Sequence, residues 1–277
     1  MTTTTNSIDL PAYLDRIGLD GPQAADLASL RRIVAAHTRT IPFENLNPFT
    51  GREVRLDPEG LTEKLVRGGR GGYCFEQNLL LKGALDALGF RTTGLAARVL
   101  WGRPAGAPPI ARSHMLLRVE LPQGGPSYLV DAGFGGVTLT GVLALEPGVE
   151  QTTPHEPFRI VTDGADGFVQ QIFVREQWRP VYSFDLREQL LVDYEVSNYY
   201  LSHAPESHFV TGLMAARPAE DRRYALNGAS LAVHHLGGPS ERTELESPLA
   251  VREVLEKYFL VDLAGLEGLD AALARLF

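Results

Sequence analysis

The chain of 277 residues is 44% hydrophobic and carries a formal net charge of −8. This length and apolar content allow a large core that is divided into two or three substructures. The acidic balance argues against a nucleic-acid partner, because nucleic-acid binders usually present a basic surface.

The single cysteine excludes an internal disulfide framework and suits a reducing compartment. Residues 1–7 (MTTTTNS) show neither the basic region nor the apolar run of a signal peptide, and no apolar stretch approaches the ~20 residues of a membrane helix. We therefore expect a cytoplasmic protein with no membrane partner. His234 and His235 do not stand at metal-ligand spacing with the cysteine, so we expect no metal site.

The first part of the chain is predicted to be helical, because its apolar residues recur at helical spacing. Helices are predicted over residues 10–17, 24–36, 60–66 and 74–88, the last of them stopped by Gly89.

The middle part is rich in strand patterns separated by glycine and proline turns, which is typical of a sheet or barrel. Its predicted strands cover residues 93–101, 114–121, 128–131, 158–162, 168–175 and 178–184. The last part mixes both kinds of element. Helices are predicted there over 193–202, 248–258 and 266–276, with short strands near 209–215, 223–227 and 230–235.

Cys74 stands in the segment 70–78 (RGGYCFEQN), after two glycines and an aromatic residue and at the start of a predicted helix. A thiol in the first turn of a helix faces the positive end of the helix dipole and unpaired backbone N–H groups. This setting favours the thiolate, which is the nucleophilic form. The sequence therefore predicts a nucleophile at Cys74, provided that the fold brings a base beside it.

Two further segments offer a base and a residue that orients it. His114 follows a polar loop and begins an apolar stretch, which predicts a histidine at the start of a strand. Asp131 closes a short apolar run and precedes the turn 132–136 (AGFGG), which predicts an acid at a strand end. Because neighbouring strands usually pair, we expect the two side chains side by side, with Cys74 packed against them. The order Cys, His, Asp is that of thiol acyl-transfer sites.

Each of these residues also has an ordinary structural interpretation. A cysteine at a helix start is often a small buried hydrophobe, and a histidine at a strand start is often a hydrogen-bonded structural residue. An aspartate before glycine is often a turn residue. The pattern alone leaves a thiol enzyme and a structural role both open.

Several segments match the motifs of one known family, and they occur in the same order along the chain as in that family. The most specific is the Arg-Gly-Gly-aromatic-Cys pattern of 70–78. The others are 41–46 (IPFENL), 112–115 (RSHM), 131–135 (DAGFG), 198–200 (NYY), 209–210 (FV) and 213–218 (LMAARP). On these segments the chain resembles the arylamine N-acetyltransferase family over essentially its whole length. Ser113 stands where threonine is common and Ala132 where valine is common, and neither change removes a group that the mechanism needs.

The resemblance implies a catalytic triad of Cys74, His114 and Asp131. In the family, acetyl-CoA acylates the cysteine, coenzyme A leaves, and an arylamine, arylhydrazine or arylhydroxylamine takes the acetyl group. This is a ping-pong mechanism through a covalent acyl-enzyme. Acetyl-CoA is thus implied as a co-substrate, with no permanently bound cofactor, and a homodimer stays open.

Other family positions are implied to line the two substrate sites. The residues implied to face coenzyme A are Val99, Trp101, Ser113, Phe134, Gly135 and Phe209. Those implied to face the acceptor are Phe43, Tyr73 and Phe134. Core burial is an equally good interpretation of each aromatic residue among them. Glu44 and Arg70 resemble a structural ion pair that steadies the loop carrying Cys74.

The implied fold is α+β: an N-terminal helical bundle (1–90), a central β-barrel (91–195) and a C-terminal α/β lid (196–277). Its Cys-His-Asp core would be papain-like or transglutaminase-like, and that core leaves other functions open. One is peptide hydrolysis or transamidation, a second is the amide synthase activity of relatives that close a macrolactam from a polyketide thioester, and a third is a catalytically silent binding protein. The whole-chain resemblance argues against the first. The triad does not separate the second, but an intact coenzyme A cleft, which Trp101 and Phe209 suggest, favours the acetyltransferase. The intact Cys74, His114 and Asp131 argue against the third.

Overall fold

The computed structural model describes residues 7–104 and 106–277, which form a mixed α+β fold. Residues 1–6, on which the expected absence of a signal peptide mostly depends, lie outside the described residues. Within the described ranges, no helix is both long enough and apolar enough to cross a membrane.

The first part of the chain is helical, as predicted. Its elements are α1 (Leu10–Arg16), α2 (Leu27–Thr40), a short strand β1 (Phe43–Glu44), α3 (Leu46–Phe49), α4 (Pro58–Leu61), a π-helical turn (Thr62–Arg67) and α5 (Cys74–Ala87). Aspartates set the first two starts: the carboxylates of Asp9 and Asp26 accept hydrogen bonds from the backbone N–H groups of Ala12 and Ser29. The helix predicted over 60–66 does not form a single helix, because α4 covers its first residues and the π-helical turn covers the rest.

An antiparallel sheet follows, with two edges that almost meet. Its strands are β2 (Arg91–Val99), β3 (His114–Glu120), β4 (Tyr128–Val130), β5 (Leu143–Ala144), β6 (Glu150–Gln151), β7 (Phe158–Asp163), β8 (Gly167–Val174) and β9 (Gln177–Asp185). Their spatial order is β5-β4-β3-β2-β9-β8-β7-β6. The side-chain amide of Gln151 bonds to both the backbone N–H (2.7 Å) and the carbonyl (2.9 Å) of Ala144. Gln151 lies in β6 and Ala144 in β5, the two edge strands, so this side-chain amide joins the two edges in place of strand pairing. The sheet is therefore nearly closed into a barrel.

The last part holds helices and a second sheet. Its elements are α6 (Leu191–His203), α7 (His208–Thr211), β10 (Met214–Pro218), β11 (Arg222–Asn227), β12 (Ser230–His235), β13 (Ser240–Glu244), α8 (Pro248–Phe259) and α9 (Leu269–Ala274). The sheet order is β1-β10-β11-β12-β13. Phe43 pairs with Ala216 and Glu44 with Ala215, so the strand just before α3 forms one edge of the C-terminal sheet.

The apolar core crosses the predicted boundaries at residues 90 and 195. The cluster around the first helices, with Leu30 and Ile33, also contains Tyr194, Leu201 and Phe209 from α6 and α7. The division of the chain into three domains stays a prediction.

One strand of the last part is predicted at the wrong place, and another is missing from the prediction. The strand expected near 209–215 is wrong over its first residues, because Phe209 lies in α7, where the Ser207 hydroxyl accepts a hydrogen bond from the Phe209 backbone N–H. Strand β13 was not predicted, because its residues (SERTE) are all exposed and show no apolar alternation. Charged residues of this kind are typical of an edge strand protected against pairing with other chains.

Candidate active site

Cys74 is the first residue of α5. The side-chain carboxylate of Glu76 accepts a hydrogen bond from the backbone N–H of Tyr73 at 3.0 Å, which helps to begin the helix there. The thiol is 4% exposed, and its sulfur lies 3.7 Å from the carbonyl oxygen of Ser113. The predicted position of the cysteine at a helix start is confirmed.

His114 and Asp131 lie at the same end of a strand pair. His114 begins β3 and Asp131 directly follows β4, and the antiparallel register sets Leu117 opposite Val130. His114 Nε2 lies 2.7 Å from Asp131 Oδ2, with the two side chains 4% and 0% exposed. The prediction that the two side chains lie side by side is confirmed, and the remaining ring nitrogen of His114, Nδ1, is the one left for Cys74.

The pKa of His114 is raised to about 10. Burial is the largest single influence, and it disfavours the charged ring and acts downwards. The negative charge and hydrogen bond of Asp131, together with the hydrogen bond and charge of Cys74, outweigh it. His114 is therefore held as an imidazolium at neutral pH, which is the form that stabilises a neighbouring thiolate.

Asn78 connects α5 to the acid. Its amide nitrogen donates to Asp131 Oδ1 at 3.1 Å and to the carbonyl oxygen of Met115 at 2.8 Å, while its amide oxygen accepts from the backbone N–H of Ala132 at 3.0 Å. Asp131 Oδ1 also accepts from the backbone N–H of Gly133 at 2.9 Å. Both carboxylate oxygens are thus held by hydrogen bonds. Asn78 was not predicted as a site residue, although its place four residues after Cys74 puts both on one face of α5.

Two aromatic rings hold the imidazole. Phe134 meets the His114 ring edge to face at 5.1 Å between centroids, and Tyr182 lies against it at 5.0 Å. Tyr182 is fully buried, and its hydroxyl donates to Gln170 Oε1 at 2.5 Å. Phe134 was predicted at this site and Tyr182 was not, because a buried tyrosine in a strand gives no signal that separates it from ordinary core.

The comparisons with known proteins identify the family of this chain. An N-acetyltransferase family model matches residues 26–267. The chain is 45% identical to the arylamine N-acetyltransferase of Mycolicibacterium smegmatis, over 95% of this chain and 96% of the relative. It is 37% identical to that of Escherichia coli, over 89% of this chain and 86% of the relative. The chain belongs to the arylamine N-acetyltransferase family.

Solved structures extend the match to the fold. The structure of Mycobacterium marinum arylamine N-acetyltransferase in complex with CoA has a TM-score of 0.93 and 43% identity, and covers 97% of this chain and 99% of that one. A Salmonella typhimurium relative, 35% identical over 90% of this chain and 88% of its own length, is named both arylamine N-acetyltransferase and N-hydroxyarylamine O-acetyltransferase. These matches confirm the α+β fold class. They support an acetyltransferase over the amide synthase alternative.

In this arylamine N-acetyltransferase family member, three of the positions implied to face coenzyme A, Val99, Trp101 and Ser113, lie near the end of β2 or the start of β3. Val99 is the last residue of β2, and the Trp101 backbone N–H donates to the carbonyl of Val181 in β9 at 3.0 Å. Ser113 directly precedes His114 and turns its carbonyl towards the Cys74 sulfur. Their contacts with coenzyme A stay predictions.

Two of the three positions implied to face the acceptor, Phe43 and Tyr73, pack against Phe209, which is implied to face coenzyme A. The third, Phe134, packs against His114 instead. The Phe209 ring lies 6.1 Å from that of Phe43 and 5.3 Å from that of Tyr73. A β-carbon added to Gly135 would lie 3.6 Å from the Phe43 ring, so the glycine-rich turn closes against that ring. Tyr73 is fully buried and its hydroxyl donates to Oδ1 of Asn198, whereas Phe43 is half-buried. Phe43 therefore offers a ligand more ring surface than Tyr73 does.

The predicted ion pair behind the nucleophile is confirmed. Both Nε and Nη2 of Arg70 donate to Glu44 Oε1, at 2.9 and 2.7 Å, and Lys64 donates to Glu76 at 2.6 Å. Burial opposes ionisation of Glu44, but the charges of Arg70 and Lys64 outweigh this effect and lower the pKa of Glu44.

Across the described ranges, no group of three His, Cys, Asp or Glu side chains gathers as metal ligands would.

Proposed function

We propose that this chain moves an acetyl group from acetyl-CoA to arylamines, arylhydrazines or arylhydroxylamines through an acetyl-Cys74 intermediate. The observation that carries the proposal is the 2.7 Å pairing of His114 Nε2 with Asp131 Oδ2 next to a thiol at a helix start. A thiol beside an imidazole that is itself oriented by a carboxylate is the arrangement of an activated nucleophile.

The first half-reaction acylates Cys74. Its thiolate attacks the carbonyl carbon of the acetyl-CoA thioester, and the bond from that carbon to the coenzyme sulfur breaks. The leaving thiolate takes the proton of the His114 imidazolium. Because one thioester replaces another, the step is close to balanced in energy, and a reactive acyl group is kept on the enzyme.

The second half-reaction returns the enzyme to its starting state. The acceptor nitrogen attacks the acetyl carbonyl carbon, and neutral His114 removes the proton that this nitrogen releases. The bond from carbon to the Cys74 sulfur then breaks, leaving the amide product and the thiolate–imidazolium pair. Asp131 holds the Nε2 proton throughout, so that Nδ1 is the nitrogen that exchanges protons.

We place coenzyme A along Val99, Trp101, Ser113, Phe134, Gly135 and Phe209, and the acceptor ring against Phe43, Tyr73 and Phe134. Two contacts support this assignment: the Ser113 carbonyl approaches the Cys74 sulfur, and the Phe134 ring touches that of His114. Aromatic side chains suit a flat acceptor ring, because offset and edge-to-face pairs of rings are favourable.

The test is the intact mass of the protein after mixing with acetyl-CoA alone. We expect the gain of one acetyl group, and its loss when an arylamine such as anisidine or a hydrazine such as hydralazine is added. Cys74→Ala should gain no acetyl group. Acetylation of Cys74→Ala to the same extent would contradict the assignment of the nucleophile.

A second measurement separates a wrong donor from an incompetent thiol. If acetyl-CoA leaves the mass unchanged, alkylation by iodoacetamide is compared between the native chain and Cys74→Ala. Rapid alkylation of Cys74 together with acylation by a longer thioester would contradict acetyl transfer and would favour the amide synthase activity.

A further inference from the structure

His37 is a fully buried histidine in the last turn of α2, away from the triad. Its Nδ1 lies 2.8 Å from the Tyr13 hydroxyl of α1, and its Nε2 lies 2.7 Å from Gln77 Oε1 of α5. Burial lowers the pKa of His37 to about 4, so the ring is neutral near pH 7. A neutral ring carries one proton, and both nitrogens are occupied by hydrogen-bond partners.

The hydrogen bonds of this group run in one direction. The Gln77 amide oxygen can only accept, so His37 Nε2 carries the proton and donates to it. Nδ1 is then an acceptor, and the Tyr13 hydroxyl donates to it. The direction from α1 through α2 to α5 is therefore fixed, and the Gln77 amide is oriented with its nitrogen pointing away from His37.

The Gln77 amide nitrogen holds the loop before Cys74. It donates to the carbonyl oxygens of Pro42 at 2.6 Å and Gly72 at 3.2 Å, with Ile41 at 3.3 Å. The Gly72 backbone N–H also donates to the Pro42 carbonyl at 3.2 Å. Gln77 thus ties the residue two positions before the nucleophile to the residue that precedes Phe43.

Apolar side chains would fill the positions of Tyr13, His37 and Gln77 without any need for hydrogen-bond partners. Each buried polar atom costs free energy unless it is hydrogen-bonded, and a fully satisfied network fixes one arrangement of the chain in return. Here the network fixes two backbone positions. Gly72 lies in the nucleophile loop (residues 68–73, before Cys74), and Pro42 precedes the predicted acceptor contact Phe43. Together with the backbone hydrogen bonds that join Gly72 to Pro42 and Glu44, the network therefore holds the segment before Cys74 against the segment that carries Phe43.

We propose that Tyr13, His37 and Gln77 form a positioning relay that holds Cys74 in the geometry for acyl transfer. The inference rests on the proposed function of Cys74. The three side chains act through the backbone of the nucleophile loop and do not touch the reacting atoms. The relay sets the rate of the chemical step, whereas it leaves the binding of acetyl-CoA unchanged.

The central test is Gln77→Met, which keeps a side chain of similar length and removes the three carbonyl contacts. The rate of Cys74 acetylation is followed by quenched-flow intact mass at increasing acetyl-CoA concentration. We expect the maximal rate to fall about 10- to 100-fold, because small displacements of a nucleophile cost rate on that scale. The half-saturating concentration should stay that of the native chain. An unchanged maximal rate would overturn the relay.

Variants of His37 test the direction of the relay. The amide nitrogen of His37→Gln can take the place of Nε2 as the donor to Gln77, whereas His37→Leu has no donor. We expect His37→Gln to recover most of the maximal rate that His37→Leu loses. Equal rates in the two variants would overturn the proposed direction. This pair keeps the test decisive even if Gln77→Met does not fold.

Thr38→Val is the matched control. Thr38 is 2% exposed in the same turn of α2, and its hydroxyl donates to the carbonyls of Val34 and Ala35 within that helix. We expect its acetylation rate to stay at the native value, and a loss equal to that of Gln77→Met would overturn a specific role for the relay. The rate of alkylation by iodoacetamide gives a second readout that needs no acetyl-CoA. If the native chain is not acetylated, the proposed function fails, and slower alkylation of Gln77→Met than of Thr38→Val still supports the relay, while equal alkylation overturns it.

Discussion

Gly133 lies against Cys74 with no room for a side chain between them. A β-carbon added to Gly133 would lie 2.5 Å from the Cys74 α-carbon and 3.1 Å from both the Cys74 carbonyl oxygen and the Asn78 amide nitrogen. Backbone atoms cannot move aside as a flexible side chain can. The turn that follows Asp131 can therefore reach the helix start only with glycine at this position.

Gly133→Ala should separate the acid from the nucleophile. The added methyl group pushes the turn away from α5, so we expect a loss of about 1–3 kcal/mol in the free energy of unfolding. The displaced triad should acetylate about 100-fold more slowly. Urea unfolding and quenched-flow acetylation measure the two effects.

Gly136→Ala is the control, because within the described residues a β-carbon there meets no atom within 4 Å. It should behave as the native chain does. A Gly133→Ala variant that is as fast as Gly136→Ala would contradict the need for close approach.

Asp131→Asn should slow acylation by about 10³-fold or more, as loss of the orienting acid does in other triads. The substitution removes the negative charge that raises the pKa of His114, so less of the ring is imidazolium at neutral pH. It also offers Nε2 an N–H group, which favours the wrong tautomer. Single-turnover acetylation measures the effect, and Asp163→Asn, at the exposed end of β7, should leave the rate unchanged.

The same variant should change how stability depends on pH. A histidine whose folded-state pKa is raised from 6.5 to about 10 stabilises the fold fully below 6.5, and this contribution is lost as the pH rises through 10. Urea unfolding at pH 7 and pH 10 should show a smaller alkaline loss in Asp131→Asn than in the native chain. Equal losses would mean that Asp131 does not hold the charge on His114.

The parts of the site that follow from local pattern were predictable from the sequence. A glycine-rich loop before an apolar helix places Cys74, and the ends of two apolar runs place His114 and Asp131. Each of these signals lies within about ten residues, where side-chain periodicity and turn residues determine the structure.

The rest depends on contacts that local pattern does not encode. His37 and Gln77 are 40 positions apart, and each would pass as an ordinary member of its helix. Strand β1 is only two residues long and pairs with β10 far along the chain, so period-2 alternation has too few positions to reveal it. Gln151 closes the barrel through its side chain, which no strand pattern reports.

Arg223 joins the barrel to the C-terminal sheet. Its guanidinium is 3% exposed, lies 2.6 Å from Glu156 Oε2 and donates to the Thr138 carbonyl at 2.9 Å. Removing Arg223 leaves the Glu156 carboxylate without its partner, but that carboxylate is 19% exposed and partly hydrated, so Arg223→Met should lose somewhat less than the ~3–5 kcal/mol of a fully buried pair in the free energy of unfolding. Urea unfolding measures this loss.

The matched comparison is the double variant Arg223→Met with Glu156→Leu. Removing both charges also removes the uncompensated carboxylate, so part of the loss should be recovered. A double variant that is as unstable as the sum of the single variants would contradict coupling between the two side chains.

Acid should weaken the native chain through His37. Burial lowers its folded-state pKa to about 4, below the ordinary 6.5, so between these values the unfolded chain binds the extra proton. The contribution of His37 to stability is therefore fully present above pH 6.5 and is lost as the pH falls towards 4. The whole window corresponds to about 3 kcal/mol, of which about 2 kcal/mol is lost by pH 5.

His37→Gln isolates this effect, because glutamine keeps a polar group at the position and does not titrate. We expect the native chain to lose about 2 kcal/mol more than the variant between pH 7 and pH 5 in urea unfolding. Carboxylates that titrate in the same range contribute equally to both proteins and cancel in the difference. Parallel losses in the two proteins would show that His37 takes up a proton in the folded chain, which is incompatible with Nδ1 accepting from the Tyr13 hydroxyl.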